Sequence, residues 1–321
     1  MLNPGRSCPT SYRYGAHALR GEPSLQAESL WIAGGLYGNP LALEALLEAY
    51  DCEHGRKALV FNGDFHWFDV DVADFGRIND AVLAFHATRG NVETELATPQ
   101  DGAGCGCGYP DWVGDDTVQR SNRIIERLRA TAARLPHTLA LLRALPMHLG
   151  ARVGDACIAI VHGDADSLAG WNFSQEALAT DNGLANARKA FDAAGADVFA
   201  SSHTCLPVLQ CFPGGKVLVN NGAAGMPNFR GEHYGLATRI ALTPAPNSVY
   251  GMRQGGLYID AVPLRYDTRA WEQRFLEQWP AGSDAHASYY ARIMNGPDYS
   301  RQAALRLTDR ADRQAPETLR A

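Results

Sequence analysis

Short apolar runs alternate with amphipathic stretches along most of this chain, and nearly every run ends in a polar, ligand-type residue. The run SLWIAG precedes NPLALEALLEAY, whose apolar positions fall at three- and four-residue spacing. ALVFNG precedes FGRINDAVLAFHA in the same way, and ATRGN ends a short run before a Gly-rich loop. Helices are expected from about Asp116 to Arg134 and around Thr138 to Ala144. ARVGDACIAIVHG reads as a hairpin or a long strand, and NGLANARKAFDAAG as a helix. ADVFASSHT, PVLQCF and KVLVNNG read as strands around tight turns, with Pro213-Gly214-Gly215 the clearest. ATRIALTP and GLYIDAVPLRY read as late, antiparallel strands, and AWEQRFLEQWP and ASYYARIMNG as helices packed on the body. Such alternation specifies an α/β fold.

With 321 residues the chain can bury a large core, and no repeat or low-complexity linker divides it. The expected organisation is an N-terminal extension over 1–28, one α/β domain over 29–300, and a polar tail over 301–321 whose last dozen residues fray. A net charge of -6 with no basic block argues against a nucleic-acid backbone as partner. The locally basic run RSNRIIERLRATAAR has helical periodicity and reads as a solvated helix face. No segment reaches the roughly 18 consecutive apolar residues of a membrane span. No signal-length apolar core opens the chain, so a cytoplasmic location is expected. Seven cysteines without framework spacing fit a reducing compartment. Cys105 and Cys107, in DGAGCGCGYPDW, then belong to a reduced Gly-rich loop, with a redox or metal role as the alternative.

The strand ends carry the chemistry. Asp64 follows one run, Asn91 the next, His162 a later one, and His203 with Cys205 the one after. Ligands in α/β sheets bind outside the carboxyl ends of the strands. Asp, Asn and His can all hold a divalent transition metal. Each alone is explained as a turn residue or a satisfied histidine; four in order is a sharper pattern.

This order resembles the calcineurin-like metallophosphoesterase superfamily, over roughly Leu30 to Tyr299. The family's Asp-x-His-Gly-Asn, Gly-Asp, Gly-Asn-His-Asp/Glu, His-Gly and Gly-His-Thr-His blocks look like GLYGN, NGD, GNVE, VHGD and SHTC here. LVNNGAAG is similar to its Asn-Pro-Gly-Ser turn. The resemblance implies a four-layer α/β/β/α sandwich of two mixed β-sheets, with metals at its rim. It implies one metal held by Asp64, Asn91, His162 and His203. A second metal would share Asp64, but its remaining ligand positions read Gly35, Tyr37 and Cys205. The histidine that protonates the leaving group is here Val92, which can neither donate a proton nor bind metal.

Stand-ins are few. His66, two residues past Asp64, could donate a proton or complete a shell, or be packed by Phe65 and Trp67. Cys205 is soft and favours zinc or iron over manganese, or is a small buried apolar residue. Tyr37 could bind a ferric ion or simply pack. The expected cofactor is one divalent zinc, manganese or iron ion per chain. Two functions follow: a metal-dependent hydrolase of small phosphoesters or phosphoanhydrides with good leaving groups, or an impaired relative that binds a ligand or partner.

Overall fold

The structure, a computed structural model, describes residues 3–306; the polar run 309–320, expected to fray, lies outside them. Two mixed sheets form its centre. The six-stranded sheet runs Tyr250–Gln254, Leu257–Leu264, Gly235–Ala241, Ser29–Ala33, Lys57–Asn62, His86–Thr88. The seven-stranded sheet runs Leu25–Ala27, His148–Val153, Ala156–Val161, Val198–Ser201, Lys216–Asn220, Val208–Phe212, Leu305–Arg306.

Period-two side-chain alternation builds the layers. Leu30, Ile32, Ala58 and Val60 of the first sheet face Ile158, Ile160, Val198 and Ala200 of the second. The intervening residues Trp31, Ala33, Leu59 and Phe61 turn outward and pack under helices that include Pro40–Asp51, Val72–Leu83 and Asp115–Ala132. On the far side Ala159, Val161 and Phe199 pack under Asp181–Ala194. This is the expected four-layer α/β/β/α sandwich.

Helix starts are locally encoded. The Asn39 side chain accepts from the backbone N–H groups of Leu41 and Ala42, with Pro40 at the first helical position. Asp71 caps Val72–Leu83 in the same way.

The structure departs from the expectations at four places. Leu25–Ala27 and Leu305–Arg306 are edge strands of the seven-stranded sheet, so both terminal segments contribute to the domain. Strands this short show no periodicity in sequence. Tyr250–Gln254 is a further strand, antiparallel to Leu257–Leu264. The region after Gly90 opens with a helix, Asn91–Ala97, before the Gly-rich loop. Finally, Cys105 and Cys107 form a disulfide, not a pair of thiols. Gly104, Gly106 and Gly108 all adopt positive φ, which lets the chain coil tightly enough for the two Cα atoms to lie 5.4 Å apart.

Among the described residues, no helix is long and apolar enough to cross a membrane.

Candidate metal centre

Four strand ends deliver the four side chains singled out above. Asp64 follows Lys57–Asn62, Asn91 opens the helix after His86–Thr88, His162 follows Ala156–Val161, and His203 follows Val198–Ser201. The two sheets are laced together directly behind them. The Asn62 amide donates to the Val161 carbonyl at 2.8 Å and to Ser202 Oγ at 2.9 Å, and accepts from Thr88 Oγ1 at 2.9 Å.

One ligand atom from each of Asp64, His162 and His203 lies within 4.8 Å of the others. Asn91 joins them: its Oδ1 stands 3.3 Å from His162 Nε2. The other end of each side chain is tied to backbone. His162 Nδ1 lies 2.8 Å from the Asn62 carbonyl, and His203 Nε2 lies 2.8 Å from the Cys107 carbonyl. Asn91 Nδ2 donates to the Cys105 carbonyl at 3.0 Å, and Asp64 Oδ1 accepts from Val92 N at 3.2 Å. Such partners fix the tautomer and orientation of metal-ligating groups.

The consequence is electrostatic. A carbonyl only accepts, so the proton of neutral His162 sits on Nδ1 and its Nε2 presents a lone pair. That lone pair faces Asp64 Oδ2 at 3.3 Å and Asn91 Oδ1 at 3.3 Å, which are acceptors as well. His203 Nδ1 is buried with no partner. Three converging acceptors and an unpartnered imidazole nitrogen, all buried, could hold a cation, and the donor set suits a divalent metal. In its absence a proton substitutes. Burial pushes the His162 imidazole down, but the charge and hydrogen bond of Asp64 outweigh it, and the net shift is upward. Burial, then the neighbouring His162, lowers His203 to about 4. Burial raises the Asp64 carboxyl, yet His162 brings it below its ordinary value.

These shifts predict a pH dependence. In the metal-free chain His162 contributes stability below its ordinary 6.5 that is lost as pH rises through its higher folded value. His203 contributes stability above 6.5 that is lost as pH falls toward about 4. A metal held by this group would take the place of the His162 proton. Added manganese is therefore expected to raise the melting temperature more at about pH 8 than at about pH 6. Thermal melts with and without metal check this, and an equal rise at both pH values would count against it.

Glu93 is the residue that sequence reading missed. Its fully buried carboxylate accepts from the backbone N–H groups of Asp64 (2.8 Å), Phe65 (3.1 Å), His66 (3.4 Å) and Gly90 (2.8 Å). It thereby clamps the Asp64 turn to the start of the Asn91 helix. A carboxylate two residues past Asn91, at the third helical position, is a helix-start signal that could have found it. The turn also needs Gly63: φ is +74°, and a Cβ there would lie 2.5 Å from both Gly90 N and His162 Nδ1.

Two expected site residues are placed elsewhere. His66 does not line the cavity. Its ring is fully buried, stacks on Phe75 with centroids 3.7 Å apart, and meets Asp69 Oδ2 through Nδ1 at 2.5 Å. The expectation of a proton donor over the metal is corrected by that packing. Cys205 does line the cavity, but it stands outside the Asp64–His162–His203 group. Its Sγ meets Tyr37 Oη at 2.8 Å and donates to the His203 carbonyl at 3.2 Å, and burial raises the thiol.

The second half of the site is filled. A Cβ on Gly35 would fall 2.1 Å from the Tyr37 ring, so that ring occupies the space an aspartate would need. Tyr37, Asp64 and Cys205 are the non-glycine residues with positive φ among those described. All three border the same cavity of about 70 Å³, with Val92, Trp67, Tyr109 and Tyr289. Strained backbone conformations of this kind concentrate at functional sites.

No family model matches this chain, and no curated protein matches it. Solved structures do. A metallophosphoesterase from Sphaerobacter thermophilus is 15% identical with a TM-score of 0.54, the match covering 84% of this chain and 100% of that one. A hypothetical protein from Pyrococcus horikoshii is 14% identical with a TM-score of 0.54, covering 86% and 100%. Likeness at such identity resides in the fold, and it agrees with the four-layer sandwich. The chain thus has the fold of the calcineurin-like metallophosphoesterases.

Proposed function

We propose that this protein is a metal-dependent phosphoric ester hydrolase with a single metal site formed by Asp64, Asn91, His162 and His203. The convergence of these four donor atoms, each side chain secured at its other end by backbone, carries the reading. Zinc, manganese or iron fits the donors, and the bound ion would supply a Lewis acid for a phosphoryl oxygen. The substrate would be a small phosphoester or phosphoanhydride.

The chain's own residues limit the chemistry. The position that would hold a proton-donating histidine carries Val92, which is buried. Burial pushes Tyr37, Tyr109, Tyr289 and Cys205 upward, so each stays protonated and none is a ready acid near neutrality. Substrates whose leaving group needs no protonation are favoured.

The same shortage of acids supports a second reading, a non-catalytic ligand-binding relative. Metal analysis of protein purified without chelator, with a panel of phosphoester and phosphoanhydride assays, separates the two. One equivalent of metal and turnover are expected. His203→Ala should abolish the metal-dependent rise in melting temperature and cut turnover roughly a hundredfold or more. Metal binding without turnover on any substrate would favour the binding relative, and no metal uptake at all would sink the proposal.

A further inference from the structure

Beside the metal cavity lies a larger, open one of about 780 Å³. Trp171 is a wall of both. Its indole N–H donates to the Cys107 carbonyl at 3.0 Å, the same oxygen that orients His203, and its ring centroid is 5.5 Å from the His203 ring. On its other side stands Trp112, with centroids 6.1 Å apart and planes at 88°. Trp112 is 61% exposed, an indole held at the mouth of a cavity instead of inside a core.

Resting on the reading above, we propose that this cavity seats a planar, amino-bearing heteroaromatic ring, the leaving-group side of the substrate. Two indoles at right angles form a corner in which a flat ring stacks on one and meets the other edge-on. The polar lining indicates what kind of ring. Asp164 is largely engaged, since its carboxylate accepts from the backbone N–H groups of Asp166, Ser167 and Asn172. Asp166 and Glu176 are exposed, and each keeps acceptor capacity beyond one long contact, to Ala16 N at 3.3 Å and Gln175 Nε2 at 3.1 Å. Free carboxylates repel an anionic group and accept from ring amino groups. The phosphoryl end is thereby directed to the metal pocket and the ring to this one, with Arg13 the cation on the lining.

A matched pair of phosphoanhydrides tests this. With the manganese-loaded full chain, Trp112→Ala should raise KM for adenosine diphosphate about tenfold and leave KM for inorganic pyrophosphate within about twofold. Trp112→Phe should restore most of the loss. Equal changes for both substrates, or none for either, would overturn the proposal. Should the wild-type chain hydrolyse neither, the hydrolase reading has failed, and equilibrium dialysis with adenosine, which carries no phosphate, decides this one. Retention by wild type and its loss in Trp112→Ala supports the ring site; equal retention, or none, refutes it.

Discussion

Glu93→Ala is expected to cost the fold about 3–5 kcal/mol and to abolish metal binding. The substitution leaves four buried backbone N–H groups, of Asp64, Phe65, His66 and Gly90, without an acceptor. Each such loss costs about 1–3 kcal/mol. One effect runs the other way. Burial and the nearby Asp64 both push the Glu93 carboxyl up, so removing it relieves some repulsion. That relief is the smaller effect, because the carboxylate is held by the very amides it satisfies. Glu93→Gln keeps the volume but turns an amide donor toward backbone donors, so an intermediate loss is expected. Urea unfolding and metal titration of the two variants measure this. A Glu93→Ala protein that unfolds like wild type and still takes up metal would refute the clamp.

Gly35→Asp is expected to destabilise by about 3 kcal/mol alone and by much less when combined with Tyr37→His. The Cβ of the new residue would lie 2.1 Å from Tyr37 Cζ and 2.4 Å from its hydroxyl. Tyr37 is only 5% exposed and its hydroxyl is engaged by Cys205, so the ring has little freedom to retreat. A histidine at 37 vacates that space and, with the new carboxylate, offers ligands to a second ion. The double variant should therefore raise metal stoichiometry from one toward two. A double-mutant cycle on stability, read beside metal content, checks both parts. Strictly additive losses, or a single Gly35→Asp variant as stable as wild type, would mean the ring does not block the site.

Much of this was legible in the sequence because period-two and helical patterns are local. Leu30 and Ile32 against Trp31 and Ala33 already mark two buried faces, and hence a sheet covered on both sides. The cluster of Asp64, His162 and His203 was legible because strand ends in such sheets share one rim, so order along the chain became proximity in space. What stayed hidden depended on direction and partner. His66 lies two residues from Asp64, but spacing cannot say which side of a loop an imidazole takes; its stack on Phe75 comes from a different element. The Tyr37 ring reads as a lost ligand in sequence and as a space-filling group only in three dimensions. The bridge between Cys105 and Cys107 was obscured by compositional reasoning about the whole chain, which is silent on a loop whose glycines all turn the same way.

That bridge has a thermodynamic corollary. The carbonyls that orient Asn91 and His203 belong to the two bridged residues themselves, Cys105 and Cys107. Whatever the bridge contributes to holding those carbonyls in place, it would contribute to metal affinity at the proposed site. Linkage between two equilibria is reciprocal. With metal bound at the proposed site, reduction of the bridge would be resisted by the same factor by which the bridge strengthens the site, so thiol chemistry and ion binding would act as a single coupled equilibrium.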